Sequence, residues 1–368
     1  MKFALVGVGG AGGRIVEQLS RLETKSNRSF SYGNLLAFDT TKAAFEQYSH
    51  IPLDRHVLVG DMHSDVQGEG VDGDVDLGVT VAKEDVDEIH REFDKLALHE
   101  VDAVLVVAGF GGGTGGGVGP VILEDLQSVS DNPVYVLGVL PHDDEGEPAA
   151  RNAARSLQSF VRLADNTILF DNNAWHDGEE PIEESAAELN EQLAMRVLSI
   201  LAVGELQSDE IAETLMDSSD LARTLETGGV STIGYASRDL GGSGGLLARL
   251  LPWLGNGSDE EDTSTDAMKI QQLIKSAASS QLTLPCEISS AERGLIVLSG
   301  PPEVCSRKGF ESGRYWLEQE TDSVQVLAGD EPRPDSSTVS ATVLLTNVTD
   351  VPRIEELKHR AVSRNPEH

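Results

Sequence analysis

The segment Gly109-Phe-Gly-Gly-Gly-Thr-Gly-Gly-Gly117 is the most informative part of this sequence for both its fold and its ligand. It follows the run 101–108, VDAVLVVA, which is typical of a strand buried on both faces. Consecutive glycines expose backbone N–H groups that together form an anion-binding concavity. Each glycine costs about 0.5–1 kcal/mol of backbone entropy relative to alanine, so a purely structural reason for so many is hard to find. The segment therefore predicts a phosphate-binding loop, in which Thr114 adds a hydroxyl.

A second glycine loop, Gly7-Val-Gly-Gly-Ala-Gly-Gly13, lies between a predicted strand at 2–8 and a predicted helix at 11–22. Its GxGxxG pattern lets the backbone approach phosphate at a helix N-terminus. By itself the pattern also suits a dehydrogenase, with Asp39 at the end of the next strand for a ribose hydroxyl. Two such loops on neighbouring strands favour a mononucleotide with several phosphates. Neither loop contains Lys, so N–H groups, helix dipoles and a metal ion would balance the phosphate charge.

Strands and helices alternate through the first half of the chain, which predicts a doubly wound parallel sheet with ligands at the carboxyl ends of its strands. Further strands are expected at 34–39, 57–59, 134–140 and 167–170, a loop at 60–80, and helices at 83–98, 117–129 and 149–164. The C-terminal half predicts strands at 230–236, 293–299, 323–328 and 339–347.

The chain is predicted to divide into a nucleotide-binding α/β domain, a long central helix and a smaller α+β domain. The expected limits are 1–182 for the first domain, 183–206 for the connecting helix and 207–353 for the second domain, followed by a polar tail over 354–368. Low-complexity sequence, GGSGG and then SDEEDTSTD, predicts a flexible insert at 241–266.

Acidic residues outnumber basic ones along the whole chain, 62 against 28, for a net charge of −34. Such a chain lacks the basic surface that nucleic acid or an anionic membrane requires. Spread acidity suits concentrated salt, where the Debye length is about 3 Å at 1 M and self-repulsion is screened. We therefore expect a halophilic protein that binds no nucleic acid.

Nothing in the sequence indicates export, a membrane span or a disulfide framework. Cys286 and Cys305 are too few for a disulfide scaffold or a cysteine metal site. The apolar N-terminal run ends in glycines instead of a cleavage site, and no run approaches the roughly 18 apolar residues of a membrane span. A cytoplasmic location follows as an expectation.

These motifs resemble the tubulin/FtsZ family. GFGGGTGGG resembles the family signature GGGTG[ST]G, GVGGAGG resembles its N-terminal loop, and the resemblance runs in order from residue 4 to residue 350. The acidity, the FDTTK variant of the second loop and the C-terminal half resemble the haloarchaeal, tubulin-like CetZ group. The resemblance implies a tubulin/FtsZ-like fold, a GTPase that binds GTP or GDP with Mg²⁺, and head-to-tail filaments of identical subunits.

The resemblance also implies which residues contact the nucleotide. Phosphate contacts fall on Gly10, Ala11, Gly12, Gly13, Gly112, Gly113, Thr114 and Gly115, with Arg14 where FtsZ usually has Asn. The family's Asn-Thr-Asp reads Asp39-Thr40-Thr41 here, and the loop over 68–78 would sense the γ-phosphate although it is Asp-rich. Ribose contacts fall on Glu147 and Arg151, and guanine contacts on Asn172 and Asn190, because an amide offers both a donor and an acceptor.

The candidate catalytic residues are Asp217 and Asp220, in a segment that resembles the family's Asp-x-x-Asp loop after the central helix. Two carboxylates three residues apart can share one face of a turn and orient a water or hold a cation. In the family this loop reaches the nucleotide of the next subunit, so hydrolysis requires assembly. Glu213 is a rival candidate.

Three classes of function remain open from the sequence. The leading hypothesis is a GTP-hydrolysing cytoskeletal protein that controls cell shape from filaments near the cell envelope, with the insert at 241–266 making lateral contacts. An FtsZ-type division protein is the alternative within this class, although no long linker to a membrane-adaptor tail peptide is evident. An NAD(P)-dependent oxidoreductase would leave the second glycine loop unused, and a nucleotide-binding regulator would neither polymerise nor turn over.

Overall fold

A computed structural model of the chain describes residues 1–176, 178, 180–201, 218–240, 259–280, 282–321 and 325–362. Its strands are β1 (Phe3–Val8), β2 (Leu35–Asp39), β3 (His56–Leu58), β4 (Ala103–Gly109), β5 (Val134–Leu140), β6 (Asn166–Asp171), β7 (Val230–Asp239), β8 (Arg293–Gly300), β9 (Gln325–Pro332) and β10 (Thr338–Thr346). Its α-helices are α1 (Gly9–Lys25), α2 (Val75–Glu84), α3 (Val86–Glu92), α4 (Gly119–Val129), α5 (Gly146–Leu163), α6 (Asn172–Trp175), α7 (Ile182–Leu201), α8 (Ser218–Leu225), α9 (Asp259–Ser280), α10 (Arg307–Glu320) and α11 (Pro352–Val362).

One ten-stranded sheet runs through the described chain in the order β3-β2-β1-β4-β5-β6-β7-β10-β8-β9. Neighbouring strands from β3 to β7 are all parallel, whereas β10 is antiparallel to both β7 and β8. The predicted doubly wound parallel sheet is therefore confirmed. The C-terminal strands extend the same sheet, because β7 joins β6 through the pairs Thr167–Val230 and Ile168–Ser231.

The core lies on both faces of this sheet. Alternate residues of β1 enter different clusters: Phe3 and Leu5 pack with α1 and α7, whereas Ala4 and Val6 pack with the helices from α2 to α5. Six of the seven residues of β4 are buried, which is why its sequence is continuously apolar instead of alternating. With both faces covered, ligands can approach the parallel strands only at their ends.

Helix α7 spans roughly 30 Å and packs on α1, with further contacts to β7 and β10. Its apolar side chains Leu193 and Val197 are buried in the core shared with α1. The Arg196 guanidinium lies 4.1 Å from the ring centre of Trp175. A single helix thus contacts elements of both halves, while the predicted domain limits 1–182, 183–206 and 207–353 stay a prediction.

Two predicted elements of the first half differ from the structure. The loop predicted at 60–80 ends early, because the Asp74 side chain accepts the N–H groups of Asp76 and Leu77 and so caps α2. The helix predicted at 83–98 is divided at Asp85 between α2 and α3. The Asp74 cap determines the first point, whereas the Asp85 side chain accepts the distant Gly60 N–H, a contact that the apolar periodicity does not show.

The two C-terminal segments predicted to lack structure are partly helical. Residues 354–362, expected in a polar tail, lie in α11, where Leu357 is fully buried. The last part of the predicted insert, 259–266, lies in α9, and the remainder of the insert lies outside the described residues. The buried apolar residues of α9 begin at Ala267, just after the predicted insert.

Backbone segments of the two glycine loops approach the sheet more closely than any side chain would allow. A Cβ atom on Gly12 would lie 2.1 Å from the carbonyl oxygen of Val107 in β4. A Cβ atom on Gly115 would lie 2.2 Å from the carbonyl oxygen of Gly109. Close packing therefore explains several of these glycines, contrary to the expectation that a structural reason is hard to find. Gly112 differs, since a Cβ atom there would meet nothing within 4 Å.

We expect Gly12→Ala to destabilise the fold by about 3 kcal/mol, because the methyl group would collide with rigid backbone. The matched control is Gly112→Ala, which should change the free energy of unfolding by less than about 0.5 kcal/mol. Urea unfolding followed by circular dichroism measures both. Equal stability of the two variants would contradict the packing role of Gly12.

Candidate phosphate-binding cleft

A cleft of ≈ 250 Å³ lies at the carboxyl edge of the sheet, where four adjacent parallel strands end. The loops after β1, β4, β5 and β6 all contribute to it. It is lined by Val8, Gly9, Gly10, Ala11, Arg14, Gly109, Gly111, Gly112, Gly113, Thr114, Gly115, Val139, Leu140, Pro141, Glu145 and Asn172. The fold thus brings the two glycine loops, distant in sequence, to one site.

Both glycine loops present helix N-termini to the cleft. Helix α1 begins at Gly9, directly after β1, and a π-helical turn over Thr114–Val118 leads into α4. The first N–H groups of a helix have no intrahelical partner and carry partial positive charge. Open space beside Gly112 leaves room for a ligand to approach the backbone of the second loop. These features suit a polyanion such as a chain of phosphates.

Arg14 is the positively charged side chain among the described residues that line the cleft. Its Nη1 atom lies 3.2 Å from the position that a Cβ atom on Gly10 would take, so the guanidinium covers the first glycine loop. The Nε atom is buried without a hydrogen-bond partner. A guanidinium held in this way can pair with an anionic ligand at the loop.

Six of the predicted contact residues do not line the cleft. Gly12 and Gly13 are buried, and a Cβ atom on Gly13 would lie 1.9 Å from the Tyr48 hydroxyl. The other four are Asp39, Glu147, Arg151 and Asn190. The remaining predicted residues do line it, namely Gly10, Ala11, Arg14, Gly112, Gly113, Thr114, Gly115 and Asn172.

Asp39 is nearly fully buried beneath the loop that follows β2. Its Oδ1 accepts the N–H groups of Thr40 at 2.7 Å and Thr41 at 3.0 Å, whereas its Oδ2 has no partner. Burial raises the pKa of this carboxyl, although Arg14 acts to lower it. The loop reaches the cleft through Thr40, whose hydroxyl lies 2.7 Å from the hydroxyl of Thr114. Asp39 therefore shapes the loop that holds Thr114.

The carboxylate that lines the cleft beside α5 belongs to Glu145 and not to Glu147. Glu145 accepts the backbone N–H of His142 at 2.8 Å, which fixes the turn after β5. Glu147 is engaged elsewhere, because Arg360 of α11 lies 3.1 Å from its carboxylate. Glu145 is not among the residues predicted from the sequence, although its position directly before a helix at the carboxyl end of a strand was an available signal.

Of the two predicted guanine-binding asparagines, Asn172 lines the cleft and Asn190 lies on α7. Asn172 is the first residue of α6, which Asp171 caps by accepting the Asn173 N–H at 3.2 Å. Helix α7 packs on α1, whose first turn is the N-terminal glycine loop. Asn190 therefore lies on a helix that packs on α1, and its neighbour Glu191 pairs with Arg21 further along that helix.

The loop predicted to sense the γ-phosphate packs directly against the second glycine loop. A Cβ atom on Gly113 would lie 2.7 Å from the backbone nitrogen of Asp74. Asn152 of α5 joins the two loops by donating to the carbonyl oxygens of Gly73 at 2.9 Å and Gly111 at 3.0 Å. A change in either loop would thus be transmitted to the other through rigid contacts.

Of the predicted catalytic pair, Asp220 is separated from this cleft. Asp217 lies outside the described residues, and Asp220 lies in the first turn of α8. At the start of β6, Asn166 donates to the carbonyl oxygens of Leu225 at 3.1 Å and Gly228 at 3.0 Å, which holds the end of α8 at the amino edge of the sheet. Asp220 lies roughly 8 Å from that end along the helix. Strand β6 extends roughly 17 Å from the amino edge to the cleft.

Arg353 of α11 connects the C-terminal helix to the loops around the cleft. It is buried, and its guanidinium contacts the carboxylates of Asp171 at 3.4 Å and Asp143 at 3.1 Å. It also donates to the carbonyl oxygen of Pro141, a cleft-lining residue, at 2.9 Å. One side chain therefore holds together the loops that follow β5 and β6. Within the described ranges, no helix combines the length and apolar character needed to cross a bilayer.

Two family descriptions match the sequence in adjoining segments. "Tubulin/FtsZ family, GTPase domain" matches residues 2–179. "Tubulin-like CetZ, C-terminal domain" matches residues 179–363. The predicted resemblance is confirmed over almost the whole chain.

Individual relatives are similar over nearly their full length. Tubulin-like protein CetZ1 of Haloferax volcanii is 43% identical over 371 residues, covering 98% of this chain and 92% of the relative. A structure of CetZ1 from Haloferax volcanii as a GDP-bound monomer matches with a TM-score of 0.84 and 39% identity, covering 99% of both chains. A structure of CetZ2 from the same organism as a GTPγS-bound protofilament matches with a TM-score of 0.82 and 34% identity, covering 98% of this chain and 97% of the other.

Burial raises the pKa of Asp171 to about 6 from 3.8, although Arg353 acts to lower it. The folded protein thus holds this proton more tightly than the unfolded chain, so the group's contribution to stability is complete below about pH 4 and lost as pH rises through about 6. Through this group, the wild-type protein should lose about 2–3 kcal/mol of its free energy of unfolding across this pH window. We expect Asp171→Asn to show no such decrease. Urea unfolding at several pH values measures it.

The control for this experiment is Asp76→Asn. The hydrogen bond from Arg155 lowers the pKa of the exposed Asp76 carboxyl. Titration of Asp76 therefore changes the stability only at pH values below this window. An unchanged pH slope in Asp171→Asn would show that this carboxyl does not titrate as described.

Proposed function

Since this chain belongs to the tubulin/FtsZ family, within its CetZ group, we propose that it binds and hydrolyses GTP and assembles head to tail into filaments. The observation that carries this proposal is that the cleft and Asp220 lie at opposite edges of one parallel sheet. Stacking two subunits edge to edge would bring the Asp220 region of one subunit to the cleft of the next. Family membership removes the oxidoreductase hypothesis.

In this proposal the nucleotide phosphates bind the two glycine loops. Other residues of the cleft contact the phosphates, the base and the ribose. Arg14 offers the positive charge near the first loop, and Thr114 offers a hydroxyl held by Thr40. Asn172, on the rim after β6, is placed to read the base, with Asn190 as the second base contact from α7. Glu145 is the better candidate for the ribose hydroxyls, because it lines the cleft and Glu147 does not.

The donor set around the cleft suits a nucleotide that brings its own Mg²⁺. Glu145 is the one carboxylate among the described lining residues, and Mg²⁺ prefers oxygen ligands while keeping several waters. When bound, the ion would neutralise charge between the phosphates. Its ligands would then be chiefly phosphate oxygens and water. The Thr114 hydroxyl, which also lines the cleft, could supply a further oxygen ligand.

We assign hydrolysis to the Asp217 and Asp220 carboxylates of the neighbouring subunit, acting on a water beside the γ-phosphate. Asp220 cannot reach the cleft of its own chain, because its helix is anchored at the amino edge by Asn166. Hydrolysis then depends on assembly, and loss of phosphate would loosen the loop over 68–78 that packs on Gly113. A weaker interface would follow in the GDP state.

The proposed cellular role is control of cell shape by cytoplasmic filaments near the envelope, with the segment 241–266 contributing lateral contacts. Division in the manner of FtsZ is the alternative. Imaging of a tagged copy distinguishes these roles, since rings at midcell would favour division. Unchanged bundling in a pelleting assay after deletion of 241–258 would argue against the lateral contacts.

Arg14→Ala should weaken binding of a fluorescent GDP analogue about 10- to 100-fold, because a charge-assisted hydrogen bond contributes about 1.5–3 kcal/mol. The control is Arg21→Ala on the same helix, where the side chain pairs with Glu191 on the surface and does not line the cleft. Fluorescence titration measures both affinities. Similar affinities for the two variants would place the Arg14 guanidinium away from the nucleotide.

A mixing experiment tests catalysis between subunits. Asp220→Asn keeps an intact cleft, whereas Gly112→Asp places a negative charge in the open space of the cleft and leaves Asp220 intact. Each variant alone should have low GTPase activity, and an equal mixture should recover part of the wild-type rate. Glu226→Gln, a neighbouring acid exposed at the end of α8, is the control and should retain activity. A mixture no more active than its components would overturn the assignment.

A further inference from the structure

Two histidines and an aspartate meet near the rim of the cleft, and none of the three is among the proposed nucleotide contacts. They are His142 after β5, Asp144 two residues later, and His176 after α6. One ligand atom of each side chain lies within 4.8 Å of those of the other two. We propose that these three side chains bind a divalent cation of the zinc, cobalt or nickel class.

His176 is oriented as a metal ligand before any ion arrives. The side chain is 91% buried, being 9% exposed. Its Nε2 atom lies 2.7 Å from the carbonyl oxygen of Glu180. A carbonyl oxygen only accepts hydrogen bonds, so Nε2 carries the proton and the lone pair is on Nδ1. Protein zinc sites orient their histidines in this way, with the second ring nitrogen bound to a carbonyl or carboxylate.

His142 and Asp144 supply the other two ligands. The Asp144 N–H donates to Nδ1 of His142 at 3.2 Å, so the lone pair of this nitrogen is held in a hydrogen bond that it would exchange for the bond to the ion. Oδ2 of Asp144 lies 3.4 Å from the same nitrogen. Ligands at about 2.1 Å from a tetrahedral ion are about 3.4 Å apart, so this pair already has the required spacing. The rings of His142 and His176 meet edge to face with centres 4.8 Å apart.

The surroundings hold the ligands in place and set the class of ion. Asp143 is tied to Arg353 and Arg360, which fixes the segment between His142 and Asp144. Asp144 is exposed, so it can close the remaining distance and leave a position open to water. Two imidazoles and one carboxylate favour zinc, cobalt or nickel over magnesium or calcium, which prefer oxygen ligands. A bound ion would fasten the loop after β5 to the segment after α6.

Cobalt binding to the full-length chain tests the proposal, with the same bound nucleotide in every sample and an excess of Mg²⁺ to occupy carboxylate-only sites. We expect one Co²⁺ per chain with visible absorption bands of a nitrogen-ligated ion, and zinc displacing cobalt. Asp144→Asn, an exposed substitution that leaves the buried ring in place, should weaken binding at least about tenfold. His142→Gln should abolish the bands.

The matched control is His99→Gln, which removes a histidine from an exposed histidine–acid pair with Glu100 elsewhere on the surface. It should bind cobalt like the wild-type chain. Calorimetry with Zn²⁺ gives the stoichiometry independently of the spectrum. The proposal is wrong if Mg²⁺ prevents cobalt binding, or if the bands survive unchanged in both Asp144→Asn and His142→Gln.

Discussion

The arrangement of the cleft depends on close contacts between backbone and backbone at the two glycine loops. Helix α1 can begin directly beside β4 only because Gly12 brings no side chain against the Val107 carbonyl oxygen. The second loop folds back on the end of β4 because Gly115 likewise leaves room for the Gly109 carbonyl oxygen. These contacts place two helix N-termini at one edge of the sheet, where their free N–H groups face the same cleft. Among the glycines of these loops, Gly112 is the one where a Cβ atom would meet nothing within 4 Å, so a ligand has room to approach its backbone.

The parallel sheet gives the molecule two different ends. Every loop that lines the cleft follows a strand, whereas α8 is anchored where β6 begins. In the proposed function, a protein built in this way binds the nucleotide at one edge and carries Asp220 at the other. Strand β6 separates Asp220 from the cleft within one subunit. If subunits stack in a line, the Asp220 edge of each one meets the cleft edge of the next, and all the interfaces are identical. This is the physical basis for proposing head-to-tail filaments.

The C-terminal helix α11 contacts the loops around the cleft, although it is the last described element of the chain. Arg353 is held by Asp143 and Asp171 from two different loops, and Arg360 reaches both Asp143 and Glu147. In so acidic a protein, two arginines at this point offset charge that would otherwise repel the loops. The same contacts hold the loop that carries His142, and so support the proposed cation site beside the cleft. Burial without a partner would have been costly for any of these charges.

The amino-acid sequence was enough to predict the parallel sheet, the two phosphate loops and the family. Glycine runs, apolar strands and their order are patterns of residues that are close in sequence, so they can be read without knowledge of the tertiary contacts. It also indicated Thr114, Arg14 and Asn172, which do line the cleft. The three-dimensional arrangement was needed to show which glycines serve packing, and that Glu145 and not Glu147 lines the cleft. It was also needed to show that Asp143 is paired with an arginine 210 positions away. Burial, ion pairing and close approach depend on neighbours in space, and a pattern along the chain contains no distances between segments that are far apart in it.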